Sequence, residues 1–517
     1  MDFDVLGISV GDNITEEPSL VALSDRDLSR VPKGVAVPAY DRRALKVGIV
    51  HFGVGNFHRV HEAIAIDRCL NADDDRSWGI CGVGLTTGPS AVAKAEAYRA
   101  QDGLYTVTTY APDGTSSVRV VGAMIDYLLG PDNPEAVLRR LAAPDTRIVS
   151  LTITEGGYNI DEATGTFVLD RADVVHDLSG KPPRTAFGFI VEGLARRRAA
   201  GLEAFTVLSC DNLRHNGDTI KLAILSFARG RDADLAEWIE SHATFPNSMV
   251  DRIAPEVSEA DRVRLNGESG VDDALPAFCE DFTQWVLEDR FCAGRPALER
   301  AGVTFSDDVA GYEAAKGRML NASHILLSYP GILAGYRYVD EALEDELLKQ
   351  LLETFFDSDV IPIITGPAGV SLPAYRDKII ERYMNRAIHD QLLRIALDGA
   401  SKIPVFHSKT IATLAKAGGD LRREAFLLAC FARYLSGVDD LGNTFDVREP
   451  QLSAADRTLV RDGGAIAVLR IKQFASFDVL TNPSFMTWFE KLTASLEAHG
   501  TKATIRSLLF SDALAPS

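Results

Sequence analysis

The sequence predicts an α/β fold class. An N-terminal domain is built on a parallel sheet with helices on both faces, and a mostly α-helical C-terminal domain follows. Three observations predict it. Continuous apolar, β-branched runs alternate with amphipathic helical stretches through the first part of the chain. One such run passes through a glycine turn directly into a helix. Beyond about residue 300, helical periodicity continues with no clear strands between segments.

Residues 1–45 read as an extension, polar and interrupted by Pro32 and Pro38. The first domain, 46–300, opens on "KVGIVHFGVGNFHRVHEAIAIDRCL": a strand at 47–50, a turn at Gly53 and Gly55, then one helix carrying Val60, Ile64 and Ile66. Further strands are expected in "WGICGVGL", at 147–154 and at 205–210. Helices such as "PEAVLRRLAA" and "AFGFIVEGLARRRAAG" separate them. The pattern breaks within 285–308, which places the second domain at 301–517. There "DKIIERYMNRAIHDQLLRIALDG" and "RREAFLLACFARYLSG" are helical in period.

Composition narrows the function classes. The 517-residue chain has a net charge of -19, which argues against a nucleic-acid surface. Its six cysteines are scattered and form no C-x-x-C pair, so neither a zinc ribbon nor a disulfide framework is expected. Reduced thiols in a cytoplasmic protein are the expectation. The first residues lack the basic and apolar regions of a signal peptide, and no apolar run reaches the length of a membrane span.

The stretch "HFGVGNFHRVH" has the strand-turn-helix context of a dinucleotide-binding turn. Gly53 permits the tight turn, and Gly55 lets backbone approach a pyrophosphate, with Val54, Asn56 and Phe57 completing the segment. His58 stands where the third glycine of the pattern belongs. After the second strand, "TTGPS" (86–90) offers neither an acid for the ribose hydroxyls nor an arginine, so it does not separate NAD from NADP. His51, His58 and His61 suggest a metal, with His58 and His61 three apart on a helix, but no carboxylate or cysteine cluster completes the set. The expected metal set is none.

Three expected strands end in conspicuous polar groups: Thr154 and Glu155; Asp211 and Asn212; Asn247, Asp251 and Arg252. Each alone suits a helix cap or turn. Together they fall where open parallel sheets bind ligands, beyond the carboxyl ends of the strands.

The segment "GYEAAKGRMLNASH" (311–324) reads as one helix. At about 100° per residue, Glu313, Lys316, Asn321 and His324 share a face. The flanks are apolar, so the helix should be buried, and buried Lys, Asn and His need a reason. Tyr312 and Lys316 also have the Tyr-x-x-x-Lys spacing of short-chain dehydrogenases. The glycine turn lies far upstream, however, and packing is the expected role of Tyr312.

In order along the chain, "HFGVGNFHRVH", "SLTITEGGYNID", "LSCDNLRHNGD", "FPNSMVDRIAP", "YEAAKGRMLNASH" and "DGASKIP" resemble the polyol-specific long-chain dehydrogenases, the mannitol dehydrogenase family. The resemblance spans about residue 38 to the C-terminus. It implies a Rossmann-type first domain, a helical second domain, and zinc-independent hydride transfer with NAD or NADP, NAD foremost. It implies Lys316 as general acid/base, Asn212 and Asn321 as oxyanion donors, and His324 as the orienting group. Asp251, Arg394 and Lys402 would bind substrate, and Glu313 would relay protons. "TEGGY" and "SKIP" are similar to the branch that interconverts D-mannitol and D-fructose. Arabinitol oxidation and fructuronate or tagaturonate reduction are the sister activities. Members of the family are often monomers.

Overall fold

The computed structural model describes residues 20–161 and 164–510. Residues 1–19 of the expected extension and 511–517 of the second domain lie outside the described residues. The first domain is organised by five strands: β1 (Val47–Phe52), β2 (Gly79–Gly84), β3 (Met124–Leu129), β4 (Ile148–Leu151) and β5 (Thr206–Ser209). They lie in the order β5-β4-β1-β2-β3, and every neighbouring pair is parallel.

Every residue of β1, β2, β4 and β5 is buried, which is why these strands read as unbroken apolar runs. One face packs Val50, Phe52 and Leu151 against Phe187, Ile190 and Phe227. The other packs Ile49 and Ile80 against Ile64, Ile66 and Tyr105. The edge strand β3 is half-buried along its middle, so its sequence carries no such run.

The helix expected after the glycine turn is two helices, α1 (Asn56–Val60) and α2 (Glu62–Ala72). They break at His61, whose φ of -118° and ψ of -89° are not helical. Two more helices are α3 (Pro89–Ala100) and α4 (Asn216–Arg231). The strand expected to end in Asn247, Asp251 and Arg252 is β6 (Ser248–Asp251), but it lies in a smaller sheet, antiparallel to Gln284–Leu287, and not in the main one. A strand not foreseen from the sequence, β7 (Ala277–Glu280), belongs to another small sheet. Within the stretch read as an extension, Val35–Ala36 pairs with Val118–Arg119 and Val21–Ala22 with Val271–Asp272. Leu23, Val31 and Val35 are buried there in a small core of their own, so this stretch is packed onto the domain.

The second domain is largely helical: α5 (Val309–Lys316), α6 (Ala322–Leu333), α7 (Leu372–Tyr383), α8 (Gly399–Ala417), α9 (Arg422–Tyr434) and α10 (Pro483–Phe510, broken by a kink at Gly500) are its main members. The Asp308 side chain accepts from the Gly311 N–H and starts α5. The single α-helix expected over 311–324 is interrupted. Residues Gly317–Asn321 form a π-helical turn between α5 and α6, with wider i→i+5 bonding. No helix among the described residues is long and apolar enough to cross a membrane.

Arg382 on α7 clasps the two domains. It reaches Asp251 at the end of β6 (Nη1–Oδ2 3.0 Å, Nη2–Oδ1 2.9 Å) and Glu280 at the end of β7 (Nε–Oε2 2.8 Å, Nη2–Oε1 2.7 Å). All three side chains are buried, and the guanidinium also lies 4.0 Å above the Phe282 ring. Arg382→Met would leave two buried carboxylates unpaired and should cost about 3–5 kcal/mol. Urea unfolding of the variant against the parent chain measures this.

Candidate active site

The sheet order reverses between β1 and β4, and the crevice beyond their carboxyl ends is the expected ligand site. Both strands lead into constrained backbone there. Gly53 has φ of +87°, and a Cβ on it would stand 2.0 Å from the Thr152 carbonyl oxygen, so only glycine fits. A Cβ on Gly55 would meet nothing closer than 3.9 Å, so the glycine leaves the turn open for a ligand to approach the backbone. Across the crevice Thr154 has φ of 62°, strained for a β-branched residue.

Asp211 holds the Thr154 segment, accepting from the Thr154 N–H at 3.0 Å, the Ile153 N–H at 2.8 Å and the Tyr158 hydroxyl at 2.7 Å. Val54 is buried. Asn56 donates to the Pro255 carbonyl at 3.0 Å, and the Phe57 ring stacks on His61, so both side chains are tied into the protein. What this turn offers a cofactor is backbone. Glu155 heads a short 3-10 turn, Glu155–Tyr158, and its side chain lies outside the described residues. Of the other strand-end groups, Asn247 accepts from the first turn of α4 (Gly217 N–H, 2.9 Å) and Arg252 donates to the Val60 and Glu280 carbonyls. These two are structural.

Under the turn lies a buried polar cluster. The sequence reading found no carboxylate to join the histidines, and the structure corrects it with Glu62. Its Oε2 is 2.9 Å from His51 Nδ1 and 3.2 Å from His58 Nδ1, and all three side chains are buried. The pairing of His58 with His61 is also corrected: His61 turns to the Gln284 carbonyl at 3.3 Å. The His51 and His58 rings stack 3.5 Å apart at 19°, and both turn Nδ1 to the same Glu62 oxygen.

The cluster reads as a hydrogen-bond chain. Thr152 Oγ1 donates to the Gly53 carbonyl at 2.6 Å, so His51 Nε2 donates to Thr152 Oγ1 at 3.0 Å. Nδ1 of the same ring meets Glu62. Burial alone would raise the Glu62 carboxyl, yet His51 and His58 hold it well below its ordinary value. Burial pushes His58 down to about 4.

Lys316 ends α5 in the cleft between the domains, and only 7% of its surface is exposed. Its Nζ is 2.6 Å from Asn212 Oδ1, on the loop after β5. A lysine ammonium only donates, so the amide oxygen faces it and the Asn212 NH2 remains a donor on the other side. One turn before Lys316, Glu313 accepts from the His215 N–H at 3.1 and 3.2 Å. Burial raises the Glu313 carboxyl above its ordinary value. Burial would also raise Asp251, but Arg382 and then Lys316 hold it below. Both Asp251 oxygens face Arg382, so this residue is engaged first in the clasp.

The His324 ring stacks on Tyr383, with centroids 4.0 Å apart at 9°. Its Nε2 is buried with no hydrogen-bond partner among the described residues. Burial pushes its pKa down to about 3. Lys316 and Asn321 stand at the two ends of the π turn, so they are not spaced as on one uniform α-helical face. Arg394 pairs with Asp390 (Nε–Oδ1 2.8 Å), and Lys402 at the start of α8 donates to the Ile395 carbonyl at 3.2 Å. Tyr312 packs among Met249, Val286 and Val309. Sequence reasoning missed Arg382, Glu280 and Tyr383, which come from distant segments. Glu62 was readable, one helical turn beyond His58. The cleft as a whole offers a buried proton-transfer group, amide donors for a developing oxyanion, and an unsatisfied imidazole nitrogen for a hydroxyl.

Comparison with known proteins places residues 47–300 in the mannitol dehydrogenase Rossmann domain and residues 308–498 in the mannitol dehydrogenase C-terminal domain. The chain is 49% identical over 479 residues to the polyol:NADP oxidoreductase of Gluconobacter oxydans, covering 92% of this chain and 98% of that one. It is similar to a substrate-free D-sorbitol dehydrogenase structure, with 47% identity, a TM-score of 0.86, and 93% of this chain and 100% of that chain covered. It is also similar to the Pseudomonas fluorescens mannitol 2-dehydrogenase ternary complex with NAD and D-mannitol. There the identity is 41%, the TM-score 0.87, and the coverage 94% of this chain and 99% of that chain.

The buried imidazoles make stability depend on pH. His324 and His61, at about 3 and about 4, stay neutral in the fold and take up protons at ordinary histidine values once unfolded. Their contribution is whole above about pH 6.5 and is lost as pH falls toward the folded values, on the order of 1 kcal/mol per pH unit for each ring. The urea midpoint should therefore drop between pH 7 and pH 5, and His324→Gln should flatten that drop.

Proposed function

The chain belongs to the mannitol dehydrogenase family, and from that premise we propose that it interconverts a polyol and a ketose, with D-mannitol and D-fructose the leading pair. The reaction is metal-independent, and a nicotinamide dinucleotide, NAD or NADP, accepts and returns the hydride. The observation that carries the reading is the 2.6 Å contact of the buried Lys316 with Asn212 across the cleft. It supports a proton acceptor and an amide donor acting together on one hydroxyl.

On oxidation, neutral Lys316 takes the hydroxyl proton. On reduction, protonated Lys316 gives it back. The Asn212 NH2, turned outward by the contact of its oxygen with Lys316, and the Asn321 NH2 donate to the developing oxyanion. His324 Nε2 meets a substrate hydroxyl, and its stacking on Tyr383 fixes the ring. Glu313, whose buried carboxyl holds its proton more readily than usual, passes protons toward solvent. Arg394 and Lys402 bind the polyol chain, where each unpaired hydroxyl would cost affinity. The open Gly55 turn and the strained Thr154 face the dinucleotide.

Sorbitol, named for one structural neighbour, joins D-arabinitol and the ketohexuronates as rival substrates. Initial rates with mannitol, sorbitol, arabinitol, fructose and fructuronate, each with both cofactors, decide among them. Lys316→Ala should nearly abolish turnover and leave cofactor affinity intact. Asn212→Ala and Asn321→Ala should each lose on the order of a hundredfold in kcat. Retained turnover in Lys316→Ala would remove the lysine from this role.

A further inference from the structure

Asn321 ends the π turn, and among the described residues its amide makes no hydrogen bond, so the backbone sets where that amide stands. That backbone is held on both sides. Within the turn the Ala322 N–H reaches back five residues to the Gly317 carbonyl. The carbonyls of the two residues flanking Asn321 each accept from a buried side chain of another helix. The Tyr383 hydroxyl of α7 donates to the Leu320 carbonyl at 2.7 Å, and Ser323 Oγ stands 3.0 Å from the same hydroxyl. From α8, His407 Nε2 donates to the Ala322 carbonyl at 3.1 Å. One turn further along α8, Thr410 Oγ1 accepts from Arg318 Nε of the turn at 3.2 Å.

The imidazole is itself held. His407 Nδ1 faces a Glu424 oxygen of α9 at 2.9 Å, and both side chains are buried. A carbonyl only accepts, so Nε2 carries a hydrogen, and Glu424 fixes the ring from its other nitrogen. An apolar side chain would fill this space without the cost of burying a carboxylate and an imidazole. The hydride and proton steps above use neither residue. Resting on the assignment of Asn321 as an oxyanion donor, we infer that Glu424 and His407, with the Tyr383 hydroxyl opposite, are positioning residues for that amide. They fix the π turn so that the Asn321 NH2 meets the developing oxyanion. A shift of about 1 Å in such a group can cost on the order of a hundredfold in rate.

Single turnovers distinguish positioning from a merely structural role. The full chain with bound cofactor is mixed with mannitol, sorbitol or arabinitol, whichever the parent chain oxidises fastest. Absorbance of the reduced nicotinamide gives the rate of the hydride step and the half-saturating polyol concentration. Tyr383→Phe keeps the ring that stacks on His324 and removes only the hydroxyl, and it should slow this step about tenfold. His407→Leu should do the same, and His407→Gln, whose amide can donate in place of Nε2, should recover most of the loss. Half-saturation should move less than about threefold in each, because the oxyanion develops only in the transition state. The deciding chain carries His407→Leu together with Asn321→Ala. It should be less than about twofold slower than Asn321→Ala alone, since the amide being positioned is gone. Where His407→Leu folds poorly, Tyr383→Phe combined with Asn321→Ala makes the same comparison. A full tenfold further loss in the combined chain overturns the inference, and so does a parent rate in both single variants. An Asn321→Ala chain within about threefold of the parent overturns the oxyanion assignment itself.

Discussion

The Arg382 guanidinium carries one positive charge into a buried space that holds two carboxylates, Asp251 and Glu280. The two acids come from the first domain and the arginine from the second, so none of the three is satisfied unless the domains close on each other. Burial settles the excess charge unevenly: it raises the Glu280 carboxyl, while Arg382 and Lys316 keep Asp251 below its ordinary range. Closure also presses α5 against the loop after β5 and brings Lys316 to Asn212. The contact of Lys316 with Asn212 thus depends on the docking of the two domains. The same α7 that holds Arg382 presents Tyr383 to the His324 ring, so one helix serves both the clasp and the candidate site.

A second constraint sits under the cofactor turn. Glu62, His51 and Thr152 form a chain of hydrogen bonds that ends on the Gly53 carbonyl. The turn is held from below by buried groups and left open above by Gly55. Opposite, Asp211 spends its oxygens on the Thr154 segment and keeps a threonine in a left-handed conformation. Backbone of this kind is rigid before any ligand arrives, which suits recognition through main-chain N–H groups. The extra polar burial is tolerable because the groups are paired with one another.

The π turn between α5 and α6 joins sequence to chemistry. A uniform α-helix over 311–324 would fix the angle between Lys316 and Asn321 by its period alone. The wider turn at Gly317–Asn321 alters that relation within five residues and leaves the two side chains at its ends. Such turns recur at functional sites because they re-aim side chains without ending the helix.

The alternation of buried strands with helices, the glycine turn after β1, and the burial of Lys316 were legible in the sequence. Each is written in local pattern: full burial leaves an apolar run, a tight turn leaves glycine, and a buried polar helix face stands out against apolar flanks. The half-buried edge strand β3 was not legible, because a strand partly open to solvent carries a mixed sequence. That β6 lies outside the main sheet was not legible either, because strand pairing depends on distant segments. Neither were the break at His61, the π turn, and the partnership of Glu62 with His51. Asp251 looked like a substrate ligand until Arg382, 131 residues away, took both its oxygens. Sequence alone determined which residue types the candidate site could draw on. Tertiary structure alone decided which of them touch, because hydrogen bonds and ion pairs between distant segments depend on how the two domains pack, and no local period records that.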